Sequence, residues 1–221
     1  MKRAFLISAA VLATGITATT AVVGPELVSG YRFMGALDHY YADYESSVGT
    51  WPQIQDTCTF CHGSGGQPSN GQYAALAGQP ASYIKMQLQA FASGQRNSPQ
   101  MGPLAASLSD AEIETLADHF ARQRPSITET PEHNDTLAQQ GKDTITDRGC
   151  VACHGGDLSG NPLGPRIAGQ GQQYLRDQLN AFRQGQRQDP AQTMNVLARM
   201  LTDDEIEAVT HYLAGLTPTA R

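Results

Sequence analysis

Apolar residues recur along this chain at helical spacing, and the same stripes occur twice. Ile84, Leu88 and Phe91 follow i, i+4, i+7, and Leu175, Leu179 and Phe182 repeat that stripe. Gly94 and Gly185 each stand three residues past the last aromatic and predict where these helices stop. A second pair of stripes, Ile113, Leu116, Phe120 and Ile206, Val209, Leu213, follows Ser109-x-x-Glu112 and Thr202-x-x-Glu205. Those tetrapeptides predict capping boxes, in which the hydroxyl accepts from the N3 amide and the carboxylate reaches back to the cap. No stretch alternates with period two, so the fold class predicted is all-α.

The stripes belong to a longer repeat. Ala77 to Arg96 matches Ala168 to Arg187 at an offset of 91, and Leu108 to Phe120 matches Leu201 to Leu213 at an offset of 93. Gly49 and Gly141 each sit nine residues before a cysteine. The chain therefore reads as two tandem domains made by internal duplication. Arg124 to Thr136, with two prolines and no periodicity, reads as an extended linker. The borders expected are 1–24 for an N-terminal targeting segment, 25–125 for the first domain and 126–221 for linker and second domain. Within the first domain, the lead 25–47 carries Tyr31, Tyr40, Tyr41 and Tyr44. It reads either as a stalk or docking segment or as an extra packing helix.

Lys2 and Arg3 precede an uncharged run from Ala4 to Pro25. The run is long enough to span a bilayer but rich in Ala and Thr, and it lacks a clean cleavage site. Residues 4–24 are either a cleaved export signal or a retained membrane anchor. Both place the rest of the chain outside the cytoplasm, in the periplasm, free or tethered to the inner membrane. The net charge of −6 is spread without a basic stripe, which excludes nucleic acid as a natural partner. Aromatics make up only 7% of the 221 residues, thin for two small cores, so something other than side chains is expected to fill each domain.

All four cysteines fall in "CTFCH" (Cys58 to His62) and "CVACH" (Cys150 to His154). A shared zinc site would have to bring distant pairs together, and a thioredoxin-like pair expects a preceding strand. Two local disulfides would be strained and leave the histidines unexplained. C-x-x-C-H is the attachment pattern of c-type haem. Cys58 and Cys61, then Cys150 and Cys153, share a face at i, i+3 and form thioethers, with His62 and His154 next to them as iron ligands. The cofactors expected are two covalently bound haem c groups. Of six methionines only Met101 and Met194 match across the repeat, each seven residues before the leucine that opens its capping-box block. They are the candidate sixth ligands; a thioether there favours electron transfer, whereas an open position would invite substrate chemistry. Met86, Met200, His119 and His211 have no counterpart of their own kind and read as packing or surface residues.

The chain resembles the two-haem cytochrome c4 family from about Gly49 to Leu216. The resemblance is carried by "CTFCHG" and "CVACHG", by "LAGQ" and "IAGQ" followed by "Y…QL…F…G.R", by the matched methionines and by the "LSDAEI" helix. It implies two class I cytochrome c-like domains about a pseudo-twofold axis, each with His–Met iron. It also implies an exported electron carrier, not an enzyme, between a quinol-oxidising cytochrome bc complex and a terminal oxidase. Cytochrome subunits of flavin-containing sulfide dehydrogenases look similar, so a tightly bound dehydrogenase partner is the alternative. In the family a proline before the "LAG" segment offers its carbonyl to the proximal histidine. Pro165 fits that place, but the first domain has Ala74. Arg96 and Arg187, at matching positions, are candidates for haem propionates or plain surface residues.

Overall fold

The structure is a computed structural model that describes residues 23–43 and 53–219. It divides into two units, one up to Gln53 and one from Ile54 onward. In the first unit, residues 23–43 form helix α1, and none of its side chains is buried. Of the two options for the Tyr-rich lead, this part is therefore helical, yet Tyr31, Phe33, Met34 and Tyr40 face outward. Tyr44, Gly49 and the targeting segment up to residue 22 lie outside the described residues. Among the described residues no helix is long and apolar enough to cross a membrane.

The second unit holds both copies of the repeat. The first copy runs through a 3-10 turn (Ile54–Cys58), α2 (Thr59–His62), a second 3-10 turn (Ser64–Gly66), α3 (Ala81–Ala92), α4 (Met101–Ala106) and α5 (Asp110–Arg122). The second comprises α6 (Asp135–Asp147), α7 (Val151–His154), α8 (Gln172–Arg183), α9 (Thr193–Met200) and α10 (Asp203–Gly215). Extended structure among the described residues is confined to one isolated bridge, Asn161 with Gly164.

Both capping boxes form. Ser109 accepts from the Glu112 amide at 3.3 Å while the Glu112 carboxylate accepts from the Ser109 amide at 2.7 Å. Thr202 and Glu205 repeat this at 3.1 and 2.8 Å. Behind the caps, Ile84, Leu116, Ala117 and Phe120 make one small core. Ile145, Leu158, Ala168, Leu175, Val209 and Leu213 make the other. α6 crosses α10 closely enough that a Cβ on Gly141 would stand 2.1 Å from the Ala208 carbonyl, so only glycine fits the crossing.

The linker is shorter than the composition implied. Asn134 caps α6, accepting from the Leu137 amide at 3.0 Å, so Asp135 and Thr136 are already helical. It is also tied down: Gln67 donates to the Arg124 carbonyl at 2.8 Å and the Thr128 amide donates to Gly169 O at 3.1 Å. Such bonds hold both copies against the strap between them.

Candidate functional site

Each C-x-x-C-H sequence ends a short helix at a glycine with positive φ, Gly63 after α2 and Gly155 after α7. All four cysteines are free thiols. Burial raises the pKa of Cys58 and Cys150, the opposite of what a redox-active thiolate pair needs. Among the described residues no group of three or more His, Cys, Asp or Glu is placed to hold a metal ion without further help.

The two histidines are set in the same way. His62 Nδ1 lies 2.8 Å from the Ala74 carbonyl, and His154 Nδ1 lies 2.8 Å from the Pro165 carbonyl. A carbonyl only accepts, so Nδ1 carries the proton and the lone pair sits on Nε2. Burial lowers the pKa of both imidazoles, opposed in part by the bond to the carbonyl, and Arg96 lowers that of His62 further. Each ring is thus a neutral donor with a fixed tautomer, the state an iron ligand requires. The acceptor is the Pro165 carbonyl in the second copy, as the family resemblance implied, and the Ala74 carbonyl in the first.

Met101 opens α4 and Met194 lies in the first turn of α9; both are half-buried. Met86 and Met200 are exposed. The two methionine loops are anchored differently. The Met101 amide donates to Ser98 Oγ at 3.1 Å, whereas the Met194 amide donates to the Asp189 carboxylate at 3.0 Å. Beside Met194, Asn195 is 1% exposed and ties the Phe182 carbonyl, the Arg187 carbonyl and the Asp189 amide together. The matching residue in the first copy is Gly102, so nothing in the sequence repeat points to Asn195.

Arg96 and Arg187 meet in a seam between the copies. Arg96 donates to Gln87 Oε1 at 2.6 Å, Gln178 Oε1 at 2.9 Å and the Tyr174 hydroxyl at 3.3 Å. Arg187 donates to Gln178 Oε1 at 2.7 Å, Gln87 Oε1 at 3.0 Å and the Tyr83 hydroxyl at 2.9 Å. Gln87 with Gln178 and Tyr83 with Tyr174 are repeat partners, so the seam is a two-fold arrangement. Each guanidinium also lies over a phenyl ring of its own copy, Phe91 or Phe182, at 4.5 Å. Arg187 is 8% exposed, which rules out a plain surface role for it. Burial raises the Tyr174 phenol pKa, but Arg96 and Arg187 outweigh it and bring the value below that of an ordinary tyrosine. Neither arginine meets a carboxylate among the described residues.

Arg187, buried, and Arg96, half-buried, share the same neutral acceptors, so the seam holds positive charge that no carboxylate offsets. A group bearing carboxylates offsets that charge. The donor set thus fits haem c in three respects: free thiols at the attachment spacing, neutral imidazoles with Nε2 open, and a cationic seam suited to propionates.

Comparison with known proteins agrees. The cytochrome c family model matches residues 138–217. The chain is 39% identical over 174 residues to the thiosulfate dehydrogenase electron acceptor of Stutzerimonas stutzeri (strain A1501), covering 72% of this chain and 78% of that protein. It is 30% identical over 176 residues to cytochrome c4 of Azotobacter vinelandii, covering 72% and 84%. The crystal structure of reduced recombinant cytochrome c4 from Pseudomonas stutzeri superposes with a TM-score of 0.67 at 30% identity, covering 73% of this chain and 94% of that one.

Proposed function

The chain belongs to the cytochrome c4 family, and from that premise we propose which residues serve its two haems and which partners it connects. It is an electron carrier with covalently bound haem c, built from two cytochrome c-like domains. When bound, each haem supplies the one-electron ferric/ferrous couple, while the protein supplies attachment, ligands and electrostatics.

Cys58 and Cys61 hold one haem by thioethers, and Cys150 and Cys153 hold the other. His62 and His154 would ligate iron through Nε2, Met101 and Met194 would supply the thioether ligands, and Arg96 with Arg187 would receive propionates in the seam. The observation that carries this assignment is the pair of His–carbonyl bonds, each 2.8 Å, that leave Nε2 open beside free cysteines in both copies. With histidine and methionine both supplied by the protein, the group would serve electron transfer rather than substrate binding.

The protein works after export to the periplasm, with residues 4–24 as its signal or tether. Its electron donor is a dehydrogenase that oxidises an inorganic sulfur compound, with a terminal oxidase as acceptor. This donor is supported by the higher identity to thiosulfate dehydrogenase electron acceptors, 39%, than to cytochrome c4 of A. vinelandii, 30%. The general family role, with a quinol-oxidising cytochrome bc complex as donor, is the second reading, and it rests on the cytochrome c4 matches.

A redox-titrated optical spectrum of the purified protein tests the ligands. Two low-spin centres are expected, with Met101→Ala altering one and Met194→Ala the other. If neither substitution changes the spectrum or potential, the methionine assignment is wrong. Stopped-flow reduction tests the donor: thiosulfate with its dehydrogenase should reduce the protein faster than a quinol-fed bc complex does. The reverse order selects the second reading.

A further inference from the structure

Gln79 and Gln170, the last residues of the repeated "AGQ" segments, are each 3% exposed and reach across into the opposite copy. Gln170 Oε1 accepts from the Ala75 amide at 2.8 Å, and Gln170 Nε2 donates to the Ala75 carbonyl at 2.8 Å. Gln79 treats Arg166 alike: its Oε1 accepts from the Arg166 amide at 3.0 Å and its Nε2 donates to the Arg166 carbonyl at 2.8 Å. Each side-chain amide brackets both polar groups of one residue, and only one orientation of that amide satisfies both.

The bracketed residues follow the two histidine acceptors. Ala75 N–H belongs to the same peptide plane as Ala74 C=O, and Arg166 N–H to the same plane as Pro165 C=O. In a trans peptide these groups point in opposite directions and turn together. Fixing the N–H on one side therefore aims the carbonyl on the other side, where His62 or His154 donates to it.

We infer that each proximal histidine is oriented from the opposite domain: Gln170 is the positioning residue for His62, and Gln79 for His154. This deepens the ligand assignment above and rests on it. The histidine–carbonyl bond raises the electron-donating power of the imidazole, so its alignment bears on the potential of the iron. Tuning then runs crosswise, and a change in one domain is felt by the centre of the other.

The two directions are unequal. In the second domain Pro165 restricts its own loop through its fixed φ. In the first, Ala74 does not, and the second domain adds more restraint. Arg166, 1% exposed, donates to the Ala75 carbonyl at 3.2 Å and the Ala77 carbonyl at 3.1 Å. Burial brings the guanidinium of Arg166 down to about 10. Stiffness that a proline supplies locally in one domain is supplied to the other from across the seam.

The test is a redox titration of the full haem-bound protein carrying Gln170→Ala, Gln79→Ala or, as a milder change, Gln170→Asn. Centres are identified by the Met101→Ala and Met194→Ala markers. Gln170→Ala should shift the potential of the His62 centre upward, by roughly a fivefold change in its ferric-to-ferrous ratio at fixed poise, the worth of one ordinary hydrogen bond. The His154 centre should stay put. Gln79→Ala should shift the His154 centre only, and by less. Ala74→Pro combined with Gln170→Ala should bring the His62 centre back towards the parent value; the Ala74 amide makes no hydrogen bond that proline would remove. A shift at the centre of the glutamine's own domain, equal shifts at both, or no shift in Gln170→Ala and Gln170→Asn overturns the inference. Failure of the ligand assignment is distinguishable, because the methionine markers would then leave the unsubstituted protein unchanged.

Discussion

Asn195→Ala should open the loop that carries Met194 and leave the one that carries Met101 closed. Asn195 is 1% exposed and makes three hydrogen bonds, to the Phe182 carbonyl at 2.9 Å, the Arg187 carbonyl at 2.7 Å and from the Asp189 amide at 3.2 Å. Alanine removes all three; the Phe182 carbonyl keeps its bond from the Gly185 amide at 3.2 Å, while the Arg187 carbonyl and the Asp189 amide lose their partner. Each unsatisfied group costs about 1–3 kcal/mol, and partial relaxation makes about 3 kcal/mol a fair figure for the set. A domain has only about 5–15 kcal/mol in total, so the loss should appear first as local opening of α9 rather than global unfolding. An opening cost lower by about 3 kcal/mol raises the open population by roughly two orders of magnitude. The assay is guanidinium titration of the ferric protein, following the sulfur-to-iron charge-transfer band beside far-ultraviolet circular dichroism. The band of one centre should be lost well before helicity falls, and the parent should lose both together. A loss below about 1 kcal/mol would refute the claim that the three bonds are the loop's anchor. So would equal weakening at both centres, because Gly102 offers no such bonds in the first domain.

Other outcomes follow from the same geometry. Replacing Arg96 or Arg187 by glutamine removes one of the two seam cations that disfavour ferric iron; the potentials of both centres should fall in a redox titration, because the seam touches both domains. Gly141→Ala puts a Cβ 2.1 Å from the Ala208 carbonyl and should cost about 3 kcal/mol in chemical unfolding as α6 and α10 are pushed apart. Glu205 has its pKa lowered by the Thr202 backbone amide and by Arg148. A depressed carboxylate stabilises above its unfolded pKa and loses that contribution as pH falls through the folded value. Glu205→Gln should therefore have a lower melting temperature than the parent at neutral pH, with the gap closing below about pH 4.5.

What could be read directly from the chain was what depends on near neighbours. A cysteine pair followed by histidine, a hydroxyl three residues before a glutamate and an apolar stripe at i, i+4, i+7 all carry their meaning within a turn or two of helix. The duplication strengthened each, since packing alone has no reason to keep Met101 and Met194 in register. α4 and α9 are too short to show a stripe of their own, and the lead around Tyr31 and Tyr40 had no periodicity clean enough to separate stalk from helix. Arg96 and Arg187 matched across the repeat, yet their position relative to each other was invisible. Gln170 and Ala75 are 95 residues apart, and Arg187 and Tyr83 are 104 apart. Only the pairing of two domains brings such groups together. The sequence by itself therefore determined the two C-x-x-C-H segments that are the candidate haem attachment points, because that pattern is complete within five residues. The tertiary structure alone decided that Gln79 and Gln170 bond the backbone of the opposite copy and that Arg96 and Arg187 meet in one seam, because those contacts exist only once the two copies close on one another.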